Sequence, residues 1–118
     1  MRADFSDLDS KRKDIWLQIL RIDPVLSVSE YQHYRSQVPQ FLGKAIEESI
    51  DVDVKRSFNH MQNLTHDNLS NILKTYAITN KELDYCQGMN FMAGYLYMSM
   101  DCQEDLAFCI LKEVIDRY

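Results

Sequence analysis

The stretch Leu69-Ser70-Asn71-Ile72-Leu73-Lys74-Thr75-Tyr76-Ala77 decides the fold class. Its apolar residues Leu69, Ile72, Leu73, Tyr76 and Ala77 recur at the spacing of one helix face. A strand would alternate at every second residue, and this run does not. The stripe predicts a helix over about 66–79 that buries one side.

The same period extends in both directions. Ile15, Trp16, Ile19 and Leu20 predict a helix capped by Ser10 and running to about Ile22, with Trp16 as a core anchor. Asp23-Pro24 is expected to end it. A second helix is expected from near Ser29, through Tyr31, Tyr34 and Val38, to a stop at Pro39. A third, over about 41–58, carries Ala45, Ile46, Ile50 and Val54. Residues 1–9 read as a polar lead-in and 59–65 as a connector. C-terminal to the opening stretch comes a non-periodic break over about 80–87. A fifth helix over about 88–100 presents Met89, Met92, Ala93, Leu96 and Met100 as core. A sixth, capped by Asp101, presents Ala107, Phe108, Leu111, Val114 and Ile115. The fold class is all-α, with about six helices. The last helix is expected to leave an apolar face uncovered, so residues 10–118 are expected to be one portion of a larger helical domain.

Composition narrows the function classes. Only three Gly and two Pro punctuate the 118 residues, too few for an all-β chain with turns every ~8–12 residues. The net charge of −5 argues against a nucleic-acid partner, which needs a basic face, although Lys11-Arg12-Lys13 and Lys55-Arg56 are locally basic. No apolar run approaches the roughly 20 residues of a membrane-spanning helix. The cysteines Cys86, Cys102 and Cys109 are odd in number and lack zinc spacing, which fits free thiols in a reducing cytoplasm.

Chemistry concentrates in two places. Asp53 and Arg56 lie three residues apart on the third helix. They can form a surface ion pair, or the carboxylate can hold the guanidinium out toward an anion, for which its planar fork is suited. The break contains Tyr85-Cys86-Gln87-Gly88-Met89-Asn90. Gln87-Gly88 can be a turn and helix cap, or can present an amide at a helix N-terminus, where anions are favoured. Cys86 can be a nucleophile served by His60, or a core thiol.

Together these motifs resemble the TBC domains of GTPase-activating proteins for Rab-type small GTPases. Arg12-x-x-x-Trp16 looks like the family's opening motif. Ile50-x-x-Asp53-x-x-Arg56 matches the motif of its arginine finger, and Tyr85-x-Gln87-Gly88 that of its glutamine finger. Leu73-x-x-Tyr76-Ala77-x-x-Asn80 and Glu104-Asp105-x-Ala107-Phe108 also fit. Ser57-Phe58-Asn59 departs from the family's more usual Thr-Phe-Pro. The resemblance covers the N-terminal part of the family's domain.

The resemblance implies a protein that accelerates GTP hydrolysis by a partner. Arg56 would stabilise charge on the transferring phosphoryl group, and Gln87 would orient the attacking water. Asp53 would position Arg56, Tyr85 and Gly88 would shape the loop, and Asn90 would brace it. The partner would be a Rab-type GTPase in its GTP-bound form, carrying the nucleotide and Mg²⁺ itself, so that this chain needs no cofactor. The location implied is cytoplasmic, peripheral to endomembranes. The alternative is a TBC-like scaffold that binds a GTPase or membrane-traffic protein without catalysis.

Overall fold

The computed structural model describes residues 13–57, 66–80 and 85–117. Among them are six helices and no strand: α1 (residues 13–19), α2 (Pro24–Phe41), α3 (Lys44–Lys55), α4 (His66–Thr79), α5 (Met89–Ser99) and α6 (Glu104–Arg117). No described helix is long and apolar enough to cross a membrane. Arg12, Ser10, the lead-in and the connector lie outside the described residues.

α4 is the hub, packed against α2, α3, α5 and α6. The stripe that defined it from sequence is the one it buries: Leu69, Ile72, Leu73, Tyr76 and Ala77 are all at most 2% exposed. α6 lies beside it and buries Leu106, Ala107, Phe108, Cys109, Ile110 and Leu111 in succession, while Val114 and Ile115 pack partly buried on the core. The last helix is therefore covered, contrary to expectation. Exposed apolar side chains stand instead on α1, α2 and α5, among them Ile19, Val25, Leu26, Phe91 and Tyr95.

One carboxylate ties three helices together. Glu104, in the first turn of α6, accepts from the Tyr31 hydroxyl of α2 at 3.1 Å. It also accepts from the amides of Asn68 and Asn71 of α4 at 3.0 and 3.1 Å. A negative charge there also suits the positive end of the α6 dipole. Phe108 fills the space below, its ring 5.2 Å from that of Tyr31 and 6.1 Å from that of Tyr34.

Helix ends account for most differences from expectation. Asp23-Pro24 starts α2 rather than ending α1. Asp23 Oδ1 accepts the Val25 N–H at 2.9 Å, and Pro24 takes the first-turn place where its missing N–H costs nothing. α2 also runs through Pro39 to Phe41, because a proline so near the end forfeits a single helical bond.

α1 ends in a left-handed turn at Arg21 (φ +56°), where the Ile22 N–H reaches the Leu17 carbonyl at 2.8 Å. That turn rolls Leu17 and Leu20 into the core and leaves Ile15, Trp16 and Ile19 outside. Trp16, 37% exposed, is not a core anchor. Asp101 (φ +56°) ends α5 in the same manner, with Cys102 N–H on the Tyr97 carbonyl at 2.9 Å, instead of capping α6. Met92 on α5 faces outward, 42% exposed.

The core carries a prediction about alkaline stability. Burial pushes the Cys109 thiol from its ordinary value of 9.0 up to about 11. Below 9 the thiol is neutral in both folded and unfolded chains and its contribution is fully present. Above 9 the unfolded chain sheds a proton that the folded chain keeps, so stability falls as pH rises toward 11. The loss from this group should reach roughly 2–3 kcal/mol. Tyr31 is raised too, first by burial and then by Glu104, and extends the loss further. Urea midpoints measured from pH 8 to 11 should drop, and Cys109→Ala should flatten the lower part of that slope.

Candidate functional site

The site forms where the end of α3 meets the start of α5. Ile50 and Val54, fully or nearly buried, pin one side of α3 to the core. Lys74 of α4 clips the helix further, 3.0 Å from Asp51 and 3.9 Å from Glu47. Arg56 stands two residues after Val54, about 200° round the helix, and so points to solvent. It is the residue at which α3 stops (φ −92°, ψ −4°), its N–H on the Asp53 carbonyl at 3.2 Å. No hydrogen bond or ion pair engages its guanidinium among the described residues.

The α5 side is built by a turn. The Met89 N–H bonds the Cys86 carbonyl and the Phe91 N–H bonds the Gly88 carbonyl, both at 3.1 Å. Gly88 takes φ +104°, a conformation that L side chains rarely adopt. Met89 is buried and anchors the first turn, while Gln87 just before it is exposed. The Gln87 amide, like the Arg56 guanidinium, has no partner among the described residues.

Two contacts join these ends. The Tyr85 hydroxyl donates to Asp53 Oδ2 at 2.5 Å. Burial first, and then this bond to a carboxylate, pushes the Tyr85 hydroxyl well above its ordinary range, so it stays a donor at any physiological pH. The second contact lies deeper. Asn90, 4% exposed, donates from Nδ2 to Ser57 Oγ at 2.5 Å. Ser57, 1% exposed, donates in turn to the Asp53 carbonyl at 2.6 Å. A groove of about 480 Å³ opens beside the pair, lined by Ala45, Glu48, Val52, Asp53, Tyr85 and Gln87.

The structure thus gathers Asp53, Tyr85, Gly88, Asn90 and Gln87 at one place with Arg56 at its edge, above a buried Ile50. It differs from the sequence reading in one respect. The Asp53 carboxylate holds Tyr85 and makes no ion pair with Arg56 among the described residues. A half-buried hydroxyl needs an acceptor, whereas an exposed i, i+3 ion pair is worth only a few tenths of a kcal/mol, so Tyr85 wins. Cys86 is an exposed free thiol, and His60 lies outside the described residues. Sequence reasoning missed Ser57. It noted Ser57 only as a departure from the family's more usual threonine, and the signal of its role was a hydroxyl four residues after Asp53, placed to bond back to that carbonyl.

Comparison with known proteins shows the family. A family model, the Rab-GTPase-TBC domain, matches residues 9–118. The chain is 32% identical over 92 residues to growth hormone-regulated TBC protein 1-A of Danio rerio, covering 72% of this chain and 26% of that protein. It is 30% identical over 122 residues to Rab GTPase-activating protein tbc-11 of Caenorhabditis elegans, covering 93% of this chain and 12% of that protein. GTPase-activating protein GYP3 of Saccharomyces cerevisiae is 28% identical over 120 residues, covering 92% and 17%. The chain therefore spans about a quarter or less of the length of these relatives. No solved structure matches it significantly. The family match takes in every described residue and both motifs that meet at this site, and the chain belongs to the Rab-GTPase-TBC domain family.

Proposed function

We propose that this chain forms the part of a GTPase-activating domain that enters the nucleotide site of a Rab-type small GTPase in its GTP-bound form. One observation carries the reading. The Tyr85–Asp53 and Asn90–Ser57 bonds fasten together the two chain ends from which Arg56 and Gln87 extend, and both side chains are exposed, with no partner among the described residues. Free polar ends on a fastened base suit groups whose partners come from another molecule.

GTP and Mg²⁺ arrive with the partner. As the γ-phosphoryl group transfers, negative charge grows on its oxygens and on the leaving oxygen. A guanidinium meets such oxygens with two parallel hydrogen bonds and a charge that does not titrate. An arginine supplied in trans accelerates such reactions by ~10³–10⁵, or about 4–7 kcal/mol. The Gln87 amide offers a carbonyl that accepts from the attacking water and an NH₂ that donates, so it can orient that water. Two similar relatives are named as GTPase-activating proteins, one of them for Rab GTPases.

The test is single-turnover GTP hydrolysis by a panel of GTP-loaded Rab-type GTPases, with and without the full-length protein. Stimulation of at least one member supports the reading, and binding without stimulation assigns a scaffold instead. The scaffold reading has one observation in its favour. Arg56 lacks the carboxylate brace expected from Asp53, and is less fixed in advance for catalysis.

A further inference from the structure

We infer that Ser57 is a positioning residue, a single buried hydroxyl that sets Arg56 and Gln87 at a fixed separation. The inference rests on the reading of those two side chains as the groups that meet the phosphate. Nothing in the sequence motifs assigns this role to Ser57.

The donor logic fixes the arrangement. Ser57 has one hydroxyl proton, and it goes to the Asp53 carbonyl at 2.6 Å. Its oxygen can then only accept, so the Asn90 amide must face it with Nδ2, as it does at 2.5 Å. The chain of bonds runs Asn90 to Ser57 to Asp53. One end lies two residues after Gly88 and three after Gln87. The other is the carbonyl that also receives the Arg56 N–H, at 3.2 Å. Both side chains thus hang from the two ends of one hydroxyl bridge, which itself is 1% exposed and closed to water.

The cost of the bridge points to position rather than stability. Asn90 Oδ1 is buried with no hydrogen-bond partner among the described residues. An orphaned buried acceptor is destabilising, and an apolar pair at Ser57 and Asn90 would avoid it. An apolar pair would also slide, because dispersion has little directionality. Two short hydrogen bonds in series resist such sliding, and a misplacement of about 1 Å in such a site costs on the order of 10²-fold in rate. The Tyr85–Asp53 bond nearby joins the same two chain ends, and buried Met89 seats the first turn of α5 on the core.

The experiment compares wild type, Ser57→Ala and Ser57→Thr in the full-length protein by two readouts. The first is amide hydrogen exchange. Ser57→Ala should raise exchange about tenfold or more at Arg56–Ser57 and at Gln87–Asn90 together, with α4 and α6 unchanged. Ser57→Thr, which keeps the hydroxyl, should restore both segments. The second is GTP hydrolysis by a responsive Rab-type GTPase, where Ser57→Ala should lower kcat by roughly 10–10²-fold with KM nearly unchanged. Exchange that stays at wild-type level, rises at one segment alone, or rises throughout the chain overturns the inference. So does a kcat unchanged in Ser57→Ala. Were the wild type to stimulate no GTPase, the reading of Arg56 and Gln87 would fall, and the exchange readout would still decide whether the bridge exists.

Discussion

Arg56→Ala is expected to lose ~10³–10⁵-fold of the stimulated hydrolysis rate while leaving the fold intact. The two halves of this expectation have separate grounds. The guanidinium has no hydrogen bond or ion pair among the described residues, so its removal breaks none there. Surface changes of that kind stay within about 0.5 kcal/mol of neutral. The loss in rate comes from the missing charge in the partner's nucleotide site. Arg56→Lys should fare almost as badly, since an ammonium is a point charge that cannot grip two oxygens in parallel. Single-turnover hydrolysis with saturating protein, paired with thermal melting of each variant, checks both halves. Rates near wild type in Arg56→Ala would remove Arg56 from the reaction.

Gln87→Ala is expected to cost about 10²–10³-fold in kcat, the range seen when one preorganised polar group is removed from a reacting centre. Gln87 is exposed and the loop before α5 is held by other groups, namely Met89, Asn90 and Tyr85. The variant should therefore bind a GTP-loaded GTPase as wild type does and fail only in turnover. Gln87→Glu should be worse than alanine, because a carboxylate beside a phosphate adds repulsion to the lost donor. Binding by titration and turnover by phosphate release separate these effects. If Gln87→Ala weakened binding and turnover equally, the amide would be a docking contact and not an orienting one.

How far the sequence alone could go depended on how one-sided each helix was. α4 was legible almost to the residue because its apolar positions, Ile78 aside, occupy one stripe and its other positions are polar. α1 was not, because Ile15, Trp16, Leu17, Ile19 and Leu20 surround the helix, and periodicity cannot choose between overlapping faces. The left-handed turn at Arg21 makes the choice, and without a glycine there it gave no warning. Asp23-Pro24 reads equally as a stop or a start, and hydrogen bonding resolves it as a start. The two motifs that build the site were visible because each is local. Their meeting was not, because Tyr85–Asp53 and Asn90–Ser57 join residues 32 and 33 positions apart. Local spacing favoured Arg56 as the partner of Asp53, and a half-buried hydroxyl from the loop before α5 outcompeted it.

Gly88 leaves a consequence of handedness. A Cβ built there meets nothing within 4 Å, so the obstacle to a side chain is torsional and not spatial. Ordinary alanine at position 88 should cost about 1–2 kcal/mol, whatever room surrounds it. Its mirror image should cost less, since φ +104°, ψ −21° is for a D-residue what the bridge region, the place of the third residue of a type I turn, is for an L-residue. A synthetic chain with D-alanine at position 88 should melt higher than the native one, by about 0.4–1 kcal/mol, because the unfolded polymer alone loses freedom. The same enantiomer would stiffen the start of α5.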